Sequence, residues 1–185
     1  YDTLDHYRID PRLGDDGDFE VLVRECHARG LKVILDGVFN HVGAQHPTFQ
    51  KALAAGPDSA EAALFRIDFD APDGPRPADF EGHGDLVAFD HSSPAVVDLV
   101  ADVMTHWCAR GADGWRLDAA YAVPSSFWAQ VLPRVREAHS QVFVVGEVIH
   151  GDYVALVRDS GWDSLTQYEL WKAIWSSLKD VNFHE

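Results

Sequence analysis

The chain has 185 residues, with 15 basic and 30 acidic side chains, a net charge of −15 and 46% hydrophobic residues. That is material for one domain with a full apolar core rather than a disordered chain, and the acid excess argues against nucleic acid and against an anionic membrane surface as partners. No run of 18 apolar residues occurs, so nothing in the sequence reads as a membrane-spanning helix. Cys26 and Cys108, 82 positions apart, make no disulfide framework and read as buried, reduced thiols. The opening at Tyr1-Asp2-Thr3, without Met or signal peptide, reads as a piece of a longer protein and leaves the compartment open.

A helix-then-strand alternation runs through most of the chain. Phe19, Leu22, Val23 and Cys26 recur at helical spacing with Gly30 as the stop, and 31–36 follows as a short apolar run that reads as a buried strand. Ser93-Pro94 opens a second helix, with Val96, Val100, Val103 and Trp107 on one face and Gly111 closing it; a strand over 114–118 follows. A third helix starts near Ser125-Ser126 and carries Phe127, Trp128, Val131, Leu132 and Val135, with Pro133 expected to bend it; 142–147 is the clearest strand. A fourth helix around Tyr153, Leu156 and Val157, a strand over 164–168 and an amphipathic 170–178 complete the series. Trp107, Trp115, Trp128 and Trp171 all read as core.

Repeated β-α-β units of this size predict an α/β fold with a parallel sheet and helices outside. The stretch 42–92 breaks the rhythm. It holds five of the nine prolines and five of the fourteen glycines and reads as an irregular, structureless insertion, of the kind that is usually functional. The expected division is therefore a main unit of 1–41 and 93–185 and an inserted unit of 42–92.

In parallel α/β folds the chemistry gathers at the carboxyl ends of the strands. Three strands end in polar groups: Asp36 to His41, Arg116 with Asp118, and Gly146 with Glu147. Alternation puts Arg116 and Asp118 on one face, opposite Trp115 and Leu117, and puts Phe143, Val145 and Glu147 together. Asp118 and Glu147 are 29 residues apart, one βα unit, which seats them on neighbouring strands. Two convergent carboxylates are what glycoside hydrolysis requires, one as nucleophile and one as proton donor. Arg116 is expected to hold Asp118 ionised, and the apolar strand before Glu147 to raise the pKa of that residue. The bland alternative for both acids is strand-end capping or ion pairing. His46, His83, Asp85, Asp90 and His91 suggest a transition metal, as in a TIM-barrel metal hydrolase, but no H-E-x-x-H or C-x-x-C spacing supports one.

The stretches Asp36-Gly37-Val38-Phe39-Asn40-His41, Gly114-Trp115-Arg116-Leu117-Asp118-Ala119-Ala120 and Gly146-Glu147-Val148, in this order and with an insertion after the first, resemble three signature stretches of glycoside hydrolase family 13, the α-amylase family. Tyr1-Asp2-Thr3 with Tyr7-Arg8-Ile9-Asp10-Pro11 is similar to the segment after that family's second strand. The resemblance implies a partial (β/α)8 TIM barrel, strands three to six, with 42–92 as a B-domain-like insertion. It implies Asp118 as nucleophile, Glu147 as general acid/base and Arg116 orienting the nucleophile. His41 and Tyr1 would contact the sugar beside the cleavage point, Asp36 would support the cluster, and Asn40 would be a ligand of a structural Ca²⁺. The implied substrate is an α-linked glucan or maltooligosaccharide, cleaved with retention; a transglycosylase with the same site and a catalytically incompetent sugar-binding or assembly relative are the alternatives. Three features depart from the family pattern: Tyr121-Ala122 stands where many amylases carry Lys-His, neither Asp90-His91 nor His184-Glu185 supplies the family's His-Asp pair, and four of eight strands are lacking. An arc of a barrel has open edges, so a second copy or further chain is expected to cover it.

Overall fold

In a computed structural model, the structure describes residues 1–181; His184 and Glu185 lie outside them. Helix α1 (Asp16–Ala28) is N-capped by Asp15 in a reciprocal box with Asp18 and ends at Arg29, with Gly30 in the left-handed region at φ 71°. Strand β1 (Ile34–Gly37) follows, and the inserted segment then runs β2 (His41–Gly43), α2 (Pro47–Ala55), β3 (Ile67–Asp68), β4 (Arg76–Pro77), β5 (Asp79–Phe80) and β6 (His83–Ala88). The alternation resumes with α3 (Pro94–Ala109), β7 (Gly114–Leu117), α4 (Ser125–Ala138), β8 (Phe143–Gly146), α5 (Tyr153–Ser160), β9 (Ser164–Leu165) and α6 (Tyr168–Asp180).

The main sheet is four-stranded and parallel, in the order β1-β7-β8-β9. Its register aligns Leu35, Trp115 and Val144, and one step on Asp36, Arg116 and Val145. Trp115, Leu117 and Val144 point into the helix layer and are buried with Val100, Met104, Trp107, Trp128, Val131 and Leu132. Each such aliphatic side chain contributes about 1.5–3 kcal/mol by leaving water. The opposite face carries Asp36, Arg116 and the exposed Ile34 and Phe143. Gly146 allows close packing just before Glu147, because a Cβ there would lie 2.7 Å from the Trp162 ring. No helix among the described residues is long and apolar enough to cross a membrane.

Several expectations are corrected. The first strand is shorter than 31–36 and lies at the sheet edge, paired among the described residues with β7 alone, so Leu31 and Ile34 are exposed rather than buried. Leu22 lines an open cavity of ≈ 550 Å³ between α1 and β1 instead of packing in the core, and Cys26 is only half-buried, although both thiols are free and Cys108 is buried. The insertion is not structureless: it holds a helix, the antiparallel sheet β2-β6-β5 and the β3-β4 pair. The expected helix carrying Pro133 is present, with the proline inside its span. Tyr168 begins α6 rather than ending a strand, and no residue of α6 is buried: Trp171, read as core, is 62% exposed because nothing in the described chain packs on that helix face.

Candidate active site

The in-step register carries one residue past the strand ends. The Asp118 N–H donates to the Gly37 carbonyl at 3.0 Å and the Glu147 N–H to the Leu117 carbonyl at 2.9 Å, so both acids stay on the sheet lattice. Arg116, two residues before Asp118 and on the same face, reaches across them. Its Nη1 donates to Asp36 Oδ1 (2.7 Å) and Oδ2 (3.0 Å) and to Asp118 Oδ1 (2.8 Å), and its Nη2 lies 2.7 Å from Glu147 Oε1. Three carboxylates thus share one guanidinium, leaving two formal negative charges uncompensated within the cluster.

That imbalance shows in the proton affinities. Burial works against the charge of Arg116, but Asp36, Asp118 and Glu147 outweigh it and push its pKa up. For Asp118, burial raises the pKa; Arg116 opposes this, while the charges of Glu147 and Asp36 add to it, and the net direction is upward. Arg116 thus lowers the Asp118 pKa, in the direction expected of a group that holds it ionised, but burial, the largest effect, and the two neighbouring charges outweigh it. Glu147, expected to be buried by its apolar strand, is partly so, with its side chain 17% exposed. Its carboxylate is ringed by donors: Arg116, the Ala119 N–H to Oε2 at 3.0 Å and the Tyr168 hydroxyl to Oε1 at 3.1 Å.

The sequence reading missed Ala119 and Tyr168 in this role. Ala119 sits in the left-handed region (φ 45°, ψ 36°), an unusual place for a non-glycine residue, which turns the chain directly after Asp118. The Tyr121 N–H then donates to the Glu147 carbonyl at 3.2 Å, so the loop after β7 grips Glu147 at both backbone and side chain.

His41, Tyr1 and Asn40 are not hydrogen-bonded to this cluster. His41 is 1% exposed beneath the Phe80 ring, stacked at 4.8 Å between centroids, and its Nε2 has no partner of hydrogen-bond geometry among the described residues. Burial lowers its pKa and favours the neutral ring, against the opposite pull of the nearby Tyr1 backbone. Tyr1 is exposed. Asn40 is buried, and its Nδ2 lies 3.1 Å from His41 Nδ1. Calcium takes six to eight oxygen ligands, and no group of three or more His, Cys, Asp or Glu side chains that could hold a metal gathers among the described residues. His46 and His91 point elsewhere, into an N-cap and onto the Phe39 carbonyl.

The model of the α-amylase catalytic domain matches residues 1–85. A cyclomaltodextrinase of Geobacillus thermopakistaniensis is 34% identical over 174 residues, covering 92% of this chain and 29% of the relative, and neopullulanase 2 of Thermoactinomyces vulgaris is 36% identical over 173 residues, covering 91% and 29%. The chain thus spans less than a third of the length of these two relatives. Among solved structures, a cyclic α-maltosyl-(1→6)-maltose hydrolase from Arthrobacter globiformis in complex with maltose superposes with a TM-score of 0.88 at 30% identity, over 98% of this chain and 42% of that one. The parallel sheet and its outer helices are accordingly an arc of a TIM barrel. With signature stretches, fold and site geometry in agreement, the chain belongs to the α-amylase family, as part of its catalytic domain.

Proposed function

We propose that the protein carrying this chain is a retaining glycoside hydrolase of α-linked glucans or maltooligosaccharides. The observation that carries this reading is the pair Asp118 and Glu147, at the carboxyl ends of adjacent parallel strands and held by the same Arg116. Asp118, ionised, attacks the anomeric carbon and forms a covalent glycosyl-enzyme; Glu147, having taken up a proton, gives it to the departing glycosidic oxygen. Glu147 then removes a proton from water, which attacks the anomeric carbon and releases Asp118. Arg116 orients the nucleophile, and Asp36 anchors Arg116 from the neighbouring strand. The exposed ring of Tyr1 is the contact we assign to the sugar beside the cleavage point, whereas His41, expected beside it, lies buried beneath Phe80.

The names of the relatives support the substrate class: they are a cyclomaltodextrinase and a neopullulanase, and the solved neighbour is a hydrolase of a cyclic maltosyl-maltose. The exposed Ile34 and Phe143 and the apolar face of α6 support a working state in which further chain or a second copy covers the arc. The test is turnover of maltooligosaccharides by the full-length protein with the product's anomeric configuration followed by NMR. Retention at the anomeric carbon is expected; inversion, or no turnover of any α-glucan, contradicts the reading. Accumulation of longer oligosaccharides at high sugar concentration identifies a sugar rather than water as the preferred acceptor.

A further inference from the structure

The hairpin between β5 and β6 pairs Phe80 with His83, so Glu81 and Gly82 form its two-residue turn, both with positive φ (53° and 83°). Turns of this kind favour Asn, Asp or Gly, for which the left-handed backbone costs little. Glutamate is a poor choice for the backbone at that position. Its side chain has a partner elsewhere: Glu81 Oε1 accepts from the Tyr121 hydroxyl at 2.9 Å, 40 positions away and on the loop that grips Glu147. Burial, Glu81, and the charges of Glu147 and Asp118 together push the Tyr121 phenol up to about 12, so it stays protonated and donates. The neighbouring Phe80 stacks on His41, which seats the hairpin beside the site by a second contact. Two left-handed non-glycine residues, Ala119 and Glu81, thus stand at the ends of one chain of contacts that runs from the insertion to the Glu147 carboxylate.

We propose that Tyr121 and Glu81 are positioning residues for Glu147: their hydrogen bond ties the inserted hairpin to the loop after β7 and so fixes the direction in which the Ala119 N–H holds the acid/base. This inference rests on the function proposed above. The link acts on proton donation to the leaving oxygen, so its loss weakens the turnover of unactivated sugars and spares substrates whose leaving group needs no proton.

The experiment compares the full-length wild-type protein with Tyr121→Phe, Glu81→Asn and Glu81→Gln on a maltooligosaccharide and on a 4-nitrophenyl α-maltoside. Asn suits the turn and is too short to reach Tyr121; Gln keeps the reach and an acceptor oxygen. Tyr121→Phe and Glu81→Asn each lower kcat on the oligosaccharide by about three- to tenfold, the scale of one hydrogen bond at a partly exposed site. KM stays within about twofold and the aryl substrate is little affected, while Glu81→Gln recovers most of the loss and the double variant is no slower than either single one. A rise in KM with kcat unchanged, equal losses on both substrates, or additive losses overturns the proposal. If Tyr121→Phe fails to fold, the Asn and Gln variants at Glu81 carry the test by themselves. Asp118→Asn serves as the control: full activity in that variant refutes the underlying function, whereas an inactive Asp118→Asn beside a wild-type-like Tyr121→Phe and Glu81→Asn refutes only the link.

Discussion

Acidic side chains sit at both ends of the same parallel strands, and the two ends treat them in opposite ways. At the starting end, Asp113 precedes β7 and has donors of its own: Lys32 at 2.9 Å, the Val33 N–H at 2.8 Å and His27 at 2.7 Å. Burial pushes its pKa up, but these donors outweigh it and hold the carboxyl at about 2. Asp163 repeats the device between β8 and β9, accepting from the Val144 N–H and Arg136. At the finishing end, Asp118 shares Arg116 with Asp36 and Glu147, and burial together with the charges of those two acids pushes it upward instead. A surplus of donors makes a carboxylate a structural clasp. A deficit leaves it under-compensated, which costs stability and favours reaction.

Exchanging carboxylate for amide has opposite consequences at the two ends. In the full-length protein, Asp118→Asn lowers kcat by roughly 10⁴-fold or more while the thermal midpoint holds or rises, since the nucleophile is lost along with an under-compensated charge. Glu147→Gln lowers kcat on unactivated glucans by about 10²–10⁴-fold and on aryl glycosides far less; equal losses on both would contradict its role as proton donor. The pH profile of kcat/KM sharpens the same point. Because the Asp118 pKa is raised, this carboxyl keeps its proton to higher pH, and the acid limb of activity lies above the range of an ordinary aspartate.

Asp113→Asn has the reverse signature, with specific activity per folded molecule retained and stability lost. The folded pKa of about 2 lies below the unfolded value, so the ionised form contributes stability above about pH 4 that disappears as the pH falls toward 2. The variant is expected to be about 1–2 kcal/mol less stable at neutral pH and indistinguishable near pH 2 in chemical denaturation. The smallest effect is at the thiols. Cys108, buried and with its pKa raised by burial, resists a thiol reagent in the folded state, while half-buried Cys26 reacts slowly.

Much of the site was legible because it depends on local periodicity. A two-residue alternation aligned Arg116 with Asp118 and both against Trp115 and Leu117, and strand-end position brought in Asp36 and Glu147. What surrounds those ends was not legible. Tyr168, Ala119 and the Tyr121–Glu81 link act through contacts 21 to 40 positions apart or through a left-handed backbone that no apolar pattern records. The apolar run before Glu147 describes the strand's buried side and says nothing of the donors that meet its tip. Likewise the stripe on α6 identifies a face without its partner, so Trp171 read as core. The short strands of the insertion, two residues each in β3, β4 and β5, are too brief to leave a period.

The central claim is that Asp118 becomes covalently bonded to the sugar during turnover. Incubating the full-length protein with a 5-fluoro α-glucosyl fluoride, which slows breakdown of a glycosyl-enzyme, and mapping the adduct by peptide mass spectrometry tests it directly. One sugar per chain is expected, attached to the peptide at Asp118 and absent in Asp118→Asn; a label on another residue, or rapid turnover of α-glucans by Asp118→Asn, would rule out this nucleophile.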